Sequence, residues 1–408
     1  MYIKRALEDT VKKTGRSFKA VLVTGPRQAG KSTLLQHLYS ALPYITFDDP
    51  TVLSRTKSEP GLFFRENTLP VVLDEVQYIT ELFPYIKMKC DQSDKDGQFF
   101  LTGSQQYRMM KNVSESLAGR IAILELQGLS LRELQGIRFN RHFLPDETYL
   151  KARGRSFRRC RNIWEIIHKG GYPGLQKKGT DWQIFYGSYV QTYIDRDVND
   201  LMKIKDKLKF TQFLTAMAAR TGQMLNYSNL AGELDISLQT VKNWTSLLEA
   251  SGIIYILQPF SNSALTRAIK TPKLYFRDTG LVCFLTKQLT PEMASVSAMA
   301  GNLFETFAVS EILKSYANEG LDYRFYVTYY RGKDKEKDSE IDLVLEENGI
   351  LYPVEIKMSA NPKLSMTNSF DVLKKVRSCE IGMGTVLCLY DKLLYLNEKN
   401  IAIPIEYV

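Results

Sequence analysis

The sequence predicts an α/β fold with three successive parts: a parallel sheet with helices, a small helical module that ends in two strands, and a C-terminal α/β domain. Three observations support this prediction. Short apolar runs alternate with helical segments across residues 19–135, which is the pattern of a parallel sheet connected by helices. Amphipathic segments follow one another across residues 208–257, and apolar, strand-like runs return from residue 324.

The first element is a strand that ends in a glycine-rich loop. KAVLVT (19–24) is followed by GPRQAGKS (25–32) and by the helical run STLLQHLYSA. The loop matches the pattern GxxxxGK[ST], in which backbone N–H groups curl around phosphate oxygens and glycine permits the close approach. The next helix offers its N-terminus to the same phosphates. The prediction is a P-loop NTPase sheet with the nucleotide-binding residues Gly25, Pro26, Arg27, Gln28, Ala29, Gly30, Lys31, Ser32 and Thr33.

Two residues of this loop have individual roles. We expect Lys31 to reach the β- and γ-phosphates as part of the catalytic machinery, and the Ser32 hydroxyl to bind Mg²⁺. ATP and Mg²⁺ are therefore the predicted ligands of the loop.

The next predicted strands carry candidate catalytic carboxylates and candidate residues for sensing the γ-phosphate. VVLDE (71–75) is a buried strand that ends in two carboxylates. We expect Asp74 to hold Mg²⁺ through water and Glu75 to polarise the attacking water. A third strand, QFFLTGS, ends at Ser104, which either contacts the γ-phosphate or belongs to a plain strand-to-loop turn. Arg120 precedes a further strand and is either an arginine finger or nucleotide sensor, or a solvated arginine.

Changes in composition predict the domain boundaries. The predicted parts are a P-loop AAA-type ATPase core (1–137), a basic loop with a helical linker or lid (138–205), a winged-helix-like domain (206–290) and a nuclease-like domain (291–408). Residues 138–161 carry RFNRHF and KARGRSFRRCR. This basic stretch fits either a nucleic-acid contact or a solvated loop.

The helical module has the pattern of a winged helix. NYSNLAGELDI and SLQTVKNWTSLLEASG predict two short helices broken at DIS, with Ser237 as the N-cap of the second. IIYILQPF and KLYFRD would be the two strands of a wing. Such a domain reads a DNA major groove or serves as a lid on an ATPase. The second helix carries Lys242 as its one cation, so both alternatives stay open.

Four polar residues in the last third predict a second site, of the PD-(D/E)xK nuclease type. An amphipathic helix is expected over residues 303–317, with Glu305 near its start. The strands SEIDLVLEENG and ILYPVEIKMSA carry Asp342 and then Glu355 and Lys357. Burying carboxylates with a lysine is costly unless they pair or bind a metal ion.

The roles at this second site are those that the similarity to the PD-(D/E)xK nuclease core implies. We expect Asp342 and Glu355 to hold a second divalent metal ion. Lys357 would steady the attacking water or the scissile phosphate, and Glu305 would complete the site. The alternative is an ordinary alternating strand whose Glu and Lys side chains face solvent.

These pieces, in this order, resemble a group of bacterial and archaeal P-loop ATPases of the AAA type that carry a C-terminal domain of unknown function. The resemblance runs over nearly the whole chain through GPRQAGKST, VVLDEVQY, FLTGS, SLAGRIAILEL, GGYPGL, TYIDRDV, AARTGQMLNYSNLA, LLEASGIIYIL, PKLYFRDTGL, FETFAVSEILKSY and EIDLVLEENGILYPVEIK. It implies a Mg²⁺-dependent ATPase, a winged-helix segment and a restriction-endonuclease-like end. Residues 138–161 fit no motif of this group.

The composition limits the kinds of partner and cellular compartment that we expect for this protein. The net charge of +9 fits either general solubility or attraction to DNA. No apolar run approaches the roughly 18 residues that a membrane helix needs, so we expect no membrane contact. The five cysteines are scattered without a CxxC pair, which fits a reducing cytoplasm. Because AAA-type modules often form rings, a homo-oligomer is also expected.

Three functions are open at this point. The first is an ATPase whose hydrolysis cycle moves the sheet domain against the helical lid. The second is an ATP-gated, metal-dependent DNA nuclease, and the third is a non-hydrolysing nucleotide-dependent switch that binds DNA or a protein. Glu75 favours hydrolysis, because a pure switch needs no second carboxylate at that position.

Overall fold

The N-terminal part of the chain forms a five-stranded parallel sheet. The computed structural model describes residues 2–103, 117–193, 206–261, 271–332, 339–375 and 379–408. The strands are β1 (Ala20–Thr24), β2 (Tyr44–Thr46), β3 (Val71–Asp74), β4 (Phe99–Thr102) and β5 (Ile121–Glu125). Their order is β2-β3-β4-β1-β5, and every neighbouring pair is parallel. The carboxyl ends of all five strands therefore meet at one edge of the sheet.

Apolar clusters lie on both faces of this sheet. The surrounding helices are α1 (Leu7–Thr14), α2 (Lys31–Leu38), α3 (Pro50–Ser58), α4 (Pro60–Glu66) and α5 (Phe83–Asp91). Leu22 of β1 belongs to one apolar cluster and its neighbour Val21 to another. Because successive strand residues point to opposite faces, a strand that is apolar throughout supplies both clusters.

The middle of the chain is mainly helical. Its helices are α6 (Leu131–Leu134), α7 (Glu147–Gly154), α8 (Ile163–Lys169), α9 (Trp182–Thr192), α10 (Lys207–Ala218), α11 (Tyr227–Leu234) and α12 (Leu238–Ala250). The strands of the middle part are β6 (Gln223–Met224), β7 (Ile254–Leu257) and β8 (Lys273–Phe276). They form a three-stranded antiparallel sheet in the order β6-β8-β7. Ser237 caps α12, since its hydroxyl accepts the Thr240 N–H at 3.0 Å, as the sequence predicts.

The C-terminal part contains a mixed sheet. Its helices are α13 (Thr279–Leu285), α14 (Pro291–Val296) and α15 (Ala300–Glu319). Its strands are β9 (Val327–Arg331), β10 (Glu340–Glu347), β11 (Ile350–Ile356), β12 (Glu380–Ile381), β13 (Gly384–Cys388), β14 (Leu394–Asn397) and β15 (Asn400–Pro404). The path is β14-β15-β13-β11-β10-β9, with β12 beside β11. The β10–β11 hairpin turns at Asn348 and Gly349, which have φ values of 51° and 79° and so form the tight Asn-Gly turn.

Helix α15 differs from its prediction. The sequence predicts an amphipathic helix, but the structure buries side chains on every side of α15. Its polar groups are buried because partners elsewhere satisfy them: Ser310 donates to the carbonyl of Arg277 at 2.7 Å, and Lys314 donates to the carbonyl of Leu129 at 3.1 Å. The helix is therefore a central element that contacts all three parts of the chain.

One apolar core connects the middle and the C-terminal parts. Phe210 of α10, Phe276 of β8, Phe304 of α15 and Ile403 of β15 all belong to the same cluster. The predicted boundary at 290/291 therefore does not separate two cores. Within the described ranges, no helix combines the length and the apolar character needed to cross a bilayer.

Part of the basic stretch 138–161 is structural. Arg153 is fully buried, and its guanidinium donates to the carbonyl of Glu406 at 2.6 Å. The Tyr149 hydroxyl donates to the carbonyl of Tyr407 at 2.7 Å. Burial, together with a neighbouring arginine, lowers the pKa of Arg153 to about 10. These contacts hold the last turn of the chain against α7, a role that charge pattern alone does not indicate.

Candidate functional site

The glycine-rich loop curls between β1 and α2. Gly25, Gln28 and Gly30 have φ values of 138°, 59° and 94°, a region that glycine tolerates best. A Cβ atom at Gly25 would lie 2.0 Å from the carbonyl oxygen of Leu126. The end of β5 thus requires glycine at this position.

Lys31 begins α2 and turns back into the loop. Its ammonium donates to the carbonyls of Gly25 at 3.1 Å and of Pro26 at 2.9 Å. The side chain is buried, so the loop itself holds the charge beside its own backbone. This arrangement places a cation and the N-terminus of a helix where anionic oxygens would be bound.

Asp74 lies at the centre of a small polar network at the carboxyl edge of the sheet. Its Oδ1 accepts the Ser32 hydroxyl at 2.7 Å and also the Thr102 hydroxyl. Its Oδ2 accepts the Tyr44 hydroxyl at 2.5 Å. Burial and this bond to the Asp74 carboxylate raise the pKa of Tyr44. The network forms because β2 and β4 both lie next to β3.

Glu75 follows β3 in a left-handed conformation, with φ 57°. Its N–H donates to the Thr102 hydroxyl at 3.3 Å, and its Oε2 accepts the side-chain amide of Gln77. Thr102 therefore contacts both acidic residues, a role that the sequence did not indicate. Ser104, the predicted sensor on the same strand, lies outside the described residues.

These groups open onto a cleft of about 660 Å³, within the usual size of a small-molecule site. The predicted loop contributes most of one wall. The cleft is lined by Tyr2, Ile3, Arg5, Arg27, Gln28, Gly30, Lys31, Ser32, Thr33, Glu75, Leu129, Pro173, Gly174, Gln176, Lys177 and Thr192. The stretch GGYPGL, one of those that carry the resemblance, supplies the opposite wall through Pro173 and Gly174.

Arg5 holds the phosphate loop through hydrogen bonds from its guanidinium. Its guanidinium donates to the carbonyls of Ala29 and Gln127, both at 2.7 Å, and to Glu133 at 2.9 Å. Burial alone would raise the pKa of Glu133, but the charge of Arg5 and the N–H groups of Ser130 and residue 6 lower it below its ordinary value. Sequence reasoning missed Arg5, since no motif contains it.

Arg120 lies away from this cleft. It precedes β5 at the amino end of the sheet, where its carbonyl accepts the N–H of Ala20. Its guanidinium pairs with Asp91 at 2.5 Å and 3.1 Å. The expectation that Arg120 senses the nucleotide of its own chain is therefore corrected, because the sheet separates the two. A role at the site of a neighbouring copy stays a prediction.

The oxygen ligands present fit Mg²⁺. The Ser32 hydroxyl and the Asp74 carboxylate are 2.7 Å apart beside the cleft, and hard oxygen ligands of this kind suit magnesium bound together with phosphates. Ser32 and Asp74 are therefore the residues that would hold the ion.

The predicted second site also comes together in space. Asp342 Oδ2 accepts the Ile356 N–H at 2.8 Å and lies 3.6 Å from the Lys357 ammonium. Lys357 pairs with Glu355 Oε1 at 2.6 Å. Glu305 approaches from α15. Burial, followed by the charge of Asp342, raises the pKa of both Glu305 and Glu355 to about 7.

A lysine that the sequence did not indicate lies within this cluster. Lys273 of β8 is 3% exposed, and its ammonium lies 2.5 Å from Glu340, 3.3 Å from Glu305 and 3.7 Å from Asp342. The Tyr275 hydroxyl donates to Glu305 at 2.6 Å. We call these residues the acidic cluster: Glu305, Glu340, Asp342, Glu355, Lys273 and Lys357.

The acidic cluster does not fit a divalent ion in this arrangement. Among the described residues, no group of three or more His, Cys, Asp or Glu side chains is placed to hold a metal. The Lys273 ammonium lies between Glu305 and Asp342, and Lys357 covers Glu355. The second metal site expected from the sequence is thus not formed, because lysines already neutralise its ligands.

Comparisons with known proteins agree with this layout. An AAA domain family model matches residues 17–135, and two domains of unknown function, DUF8612 and DUF4143, match residues 160–292 and 300–408. An uncharacterized protein of Mycobacterium tuberculosis is 27% identical, with 85% of this chain and 71% of that protein covered. An uncharacterized protein of Methanocaldococcus jannaschii is 24% identical, with 82% and 74% covered.

Among solved structures, the chain is similar to the Walker-type ATPase of Pyrococcus abyssi, with 14% identity and a TM-score of 0.40. The match covers 70% of this chain and 96% of that one. The family match assigns an AAA domain to residues 17–135, built on a five-stranded parallel sheet and followed by a helical middle region and a C-terminal mixed-sheet domain.

Proposed function

We propose that the protein is a Mg²⁺-dependent ATPase that couples hydrolysis to movement between its AAA sheet and its helical middle region. The observation that carries the proposal is the bonding of Asp74. Its carboxylate joins the Ser32 hydroxyl of the phosphate loop to the Thr102 hydroxyl of the neighbouring strand. Glu75, the next residue, lines the cleft at the same edge.

The chemistry follows from these positions. The loop N–H groups and the start of α2 bind the phosphates of ATP, and Lys31 exchanges the carbonyls of Gly25 and Pro26 for phosphate oxygens. Mg²⁺, when bound, neutralises charge on the phosphates. Glu75 orients a water for in-line attack on the γ-phosphate and accepts its proton. Gln77 positions Glu75 through its amide.

The opposite wall of the cleft supports the proposed coupling. The Gly171 carbonyl accepts the Leu129 N–H at 2.6 Å, and the Gly171 N–H donates to Asp278 at 2.7 Å. Asp278 also accepts the Tyr186 hydroxyl at 2.6 Å and caps α13. These hydrogen bonds connect Gly171, two residues before Pro173, to α9 and α13, so we expect a shift of this wall on nucleotide binding to reach both helices.

Phosphate release by the purified protein tests the proposal. Lys31→Ala should lose both ATP binding and turnover, whereas Glu75→Gln should bind a fluorescent ATP analogue normally and lose turnover. Lys12→Ala, at an exposed position of α1, is the matched control. Unchanged turnover in Lys31→Ala or Glu75→Gln would remove the assigned role, and wild-type binding without turnover would favour a nucleotide-dependent switch.

If the helical module is a winged helix, the proposed ATPase has DNA as a candidate partner in addition to ATP. The described part of residues 206–276 holds the helices α10, α11 and α12 and the three-stranded antiparallel sheet, and α12 exposes Gln239, Lys242 and Asn243. A gel-shift assay with duplex DNA, with and without ATP, tests this candidate. Loss of a wild-type shift in Lys242→Glu would support groove contact by α12; no shift with wild-type protein would leave the helical module as a lid.

The nuclease alternative rests on the acidic cluster, which brings Glu305, Asp342, Glu355 and Lys357 together. Because the cluster does not fit a divalent ion in this arrangement, the nuclease would require its lysines to move away from the carboxylates before a metal ion could bind. The test is cleavage of DNA by the full-length protein with Mg²⁺ or Mn²⁺, with and without ATP, beside Glu355→Gln. Cleavage that Glu355→Gln abolishes would establish the nuclease, and its ATP dependence would show whether the two sites are coupled. Absence of cleavage with intact ATP turnover would exclude it.

A further inference from the structure

Strand β8 of the middle region contacts both other parts of the chain. Alternate residues of a strand lie on one face. Lys273 and Tyr275 of β8 have that spacing, and Arg277, the residue directly after the strand, continues it. Lys273 belongs to the acidic cluster, and the Tyr275 hydroxyl donates to Glu305 of the same cluster. Arg277 donates to Glu125, at the end of β5 of the AAA sheet, and to the Tyr323 hydroxyl. One short strand thus bridges the AAA sheet and the C-terminal domain.

Lys273 has no solvent to stabilise its charge. A buried ammonium is costly to a fold unless carboxylates surround it, and Lys273 is surrounded by Glu305, Glu340 and Asp342 at distances of 3.3 Å, 2.5 Å and 3.7 Å. These carboxylates come from α15 and β10, which belong to the C-terminal domain, whereas the lysine belongs to the middle region.

A divalent ion would need some of the same oxygen atoms. It would have to approach Glu305 and Asp342, and there it would meet the Lys273 ammonium at a separation where two cations repel strongly. Glu355 adds a second observation, since its Oε2 is buried without a hydrogen-bond partner among the described residues. The cluster therefore keeps an unused oxygen ligand while a lysine occupies its centre.

We propose that Lys273 is a resident cation that takes the place of a divalent metal in the acidic cluster, so that the C-terminal domain binds no metal while β8 is docked against it. Removing this ammonium then frees Glu305 and Asp342, beside Glu355, for a divalent ion. The bound strand and the bound metal exclude one another.

Mn²⁺ binding to the full-length, nucleotide-free protein tests this proposal. Electron paramagnetic resonance counts bound Mn²⁺, and the melting temperature gives an independent readout. Wild-type protein and Lys273→Arg should bind no Mn²⁺ at the acidic cluster. Adding Glu355→Gln to either protein should therefore leave its Mn²⁺ binding unchanged. Lys273→Met should gain one site, bound at least about tenfold more tightly than any in wild type, together with a Mn²⁺-dependent rise in melting temperature. Lys273→Met/Glu355→Gln should lose that gain.

Two outcomes would overturn the proposal. One is stoichiometric Mn²⁺ binding by wild-type protein that Glu355→Gln abolishes. The other is a folded Lys273→Met variant that binds no more Mn²⁺ than wild type. The wild-type measurement decides the matter even where Lys273→Met fails to fold, because the proposal requires the native cluster to be metal-free.

Discussion

The guanidinium of Arg5 donates a 2.7 Å hydrogen bond to the carbonyl of Ala29, in the middle of the phosphate loop. The same group pairs with buried Glu133 at 2.9 Å. A residue that precedes the first helix thus anchors the loop to which we assign nucleotide binding. The shape of the loop is therefore fixed by a buried ion pair as well as by its glycines.

Replacing Arg5 by methionine should destabilise the protein. Breaking one side of a buried ion pair leaves an uncompensated carboxylate, which lowers the free energy of unfolding by about 3–5 kcal/mol. Urea unfolding measures this change, and Lys4→Met, at an exposed position, is the control. Arg5→Met/Glu133→Gln should recover part of the loss. Equal unfolding curves for Arg5→Met and wild type would show that the pair does not hold the loop.

Thr102 offers a test that separates catalysis from binding. Its hydroxyl donates to Asp74 and accepts the Glu75 N–H. Thr102→Val keeps the size of the side chain but removes both bonds, so the two carboxylates lose their common support. We expect the kcat for ATP hydrolysis to fall about 10- to 100-fold, as is typical when a supporting residue is removed, with little change in KM.

The conservative variant Thr102→Ser keeps the hydroxyl and should retain most of the wild-type kcat. Steady-state phosphate release over a range of ATP concentrations gives both parameters. If Thr102→Val had a normal kcat and a raised KM, the hydroxyl would serve nucleotide binding and not the alignment of Asp74 and Glu75.

The grouping of residues at the proposed nucleotide site was predictable where they are close in sequence. Gly25 to Thr33 form one continuous motif, and Asp74 and Glu75 come directly after the apolar run VVL. Local spacing determines such groups, because a single loop or strand end positions them. Arg5 was not predictable in this way, since its partners Ala29 and Glu133 are 24 and 128 residues away.

Partners distant in sequence also explain why α15 is buried on every side and why Lys273 was not predicted at the acidic cluster. Polar residues such as Ser310 and Lys314 suggest a solvent-facing side, but distant backbone carbonyls satisfy them in the fold. Asp342 and Glu355 were identified from their own strands, whereas the lysine that neutralises their cluster comes from β8. Long-range pairing therefore decides which polar residues are buried.

Arg277 should be a stability determinant that links the parts of the chain. Its side chain is 10% exposed, its guanidinium pairs with Glu125 of β5, and it donates to the Tyr323 hydroxyl at 2.7 Å. Arg277→Met leaves the Glu125 carboxylate without its cation, so we expect the free energy of unfolding to fall by about 3–5 kcal/mol. Urea denaturation measures this value, and Arg277→Met/Glu125→Gln should be less destabilised than the single variant. If the single and the double variant lost the same free energy of unfolding, the Arg277–Glu125 ion pair would not be the source of the stability.

Glu355 should make the stability of the protein depend on pH between about 4.5 and 7. Burial and the charge of Asp342 raise its pKa from 4.5 to about 7, although Lys357 opposes the shift. The other groups of the cluster are Glu305, whose pKa is raised in the same way, and Lys273. In this window the folded protein binds more protons than the unfolded chain, so the free energy of unfolding contributed by these carboxyls falls as pH rises.

Glu355→Gln removes one of these titrating groups. Its unfolding free energy should therefore vary less between pH 5 and pH 7 than that of wild type, and should exceed the wild-type value above pH 7 by about 1–3 kcal/mol. Urea unfolding at pH 5, 6, 7 and 8 measures both effects, with Glu398→Gln, at an exposed position of the β14–β15 turn, as the control. A Glu355→Gln curve parallel to that of wild type would mean that the Glu355 carboxyl is ionised throughout, with Lys357 and Lys273 compensating fully for its burial.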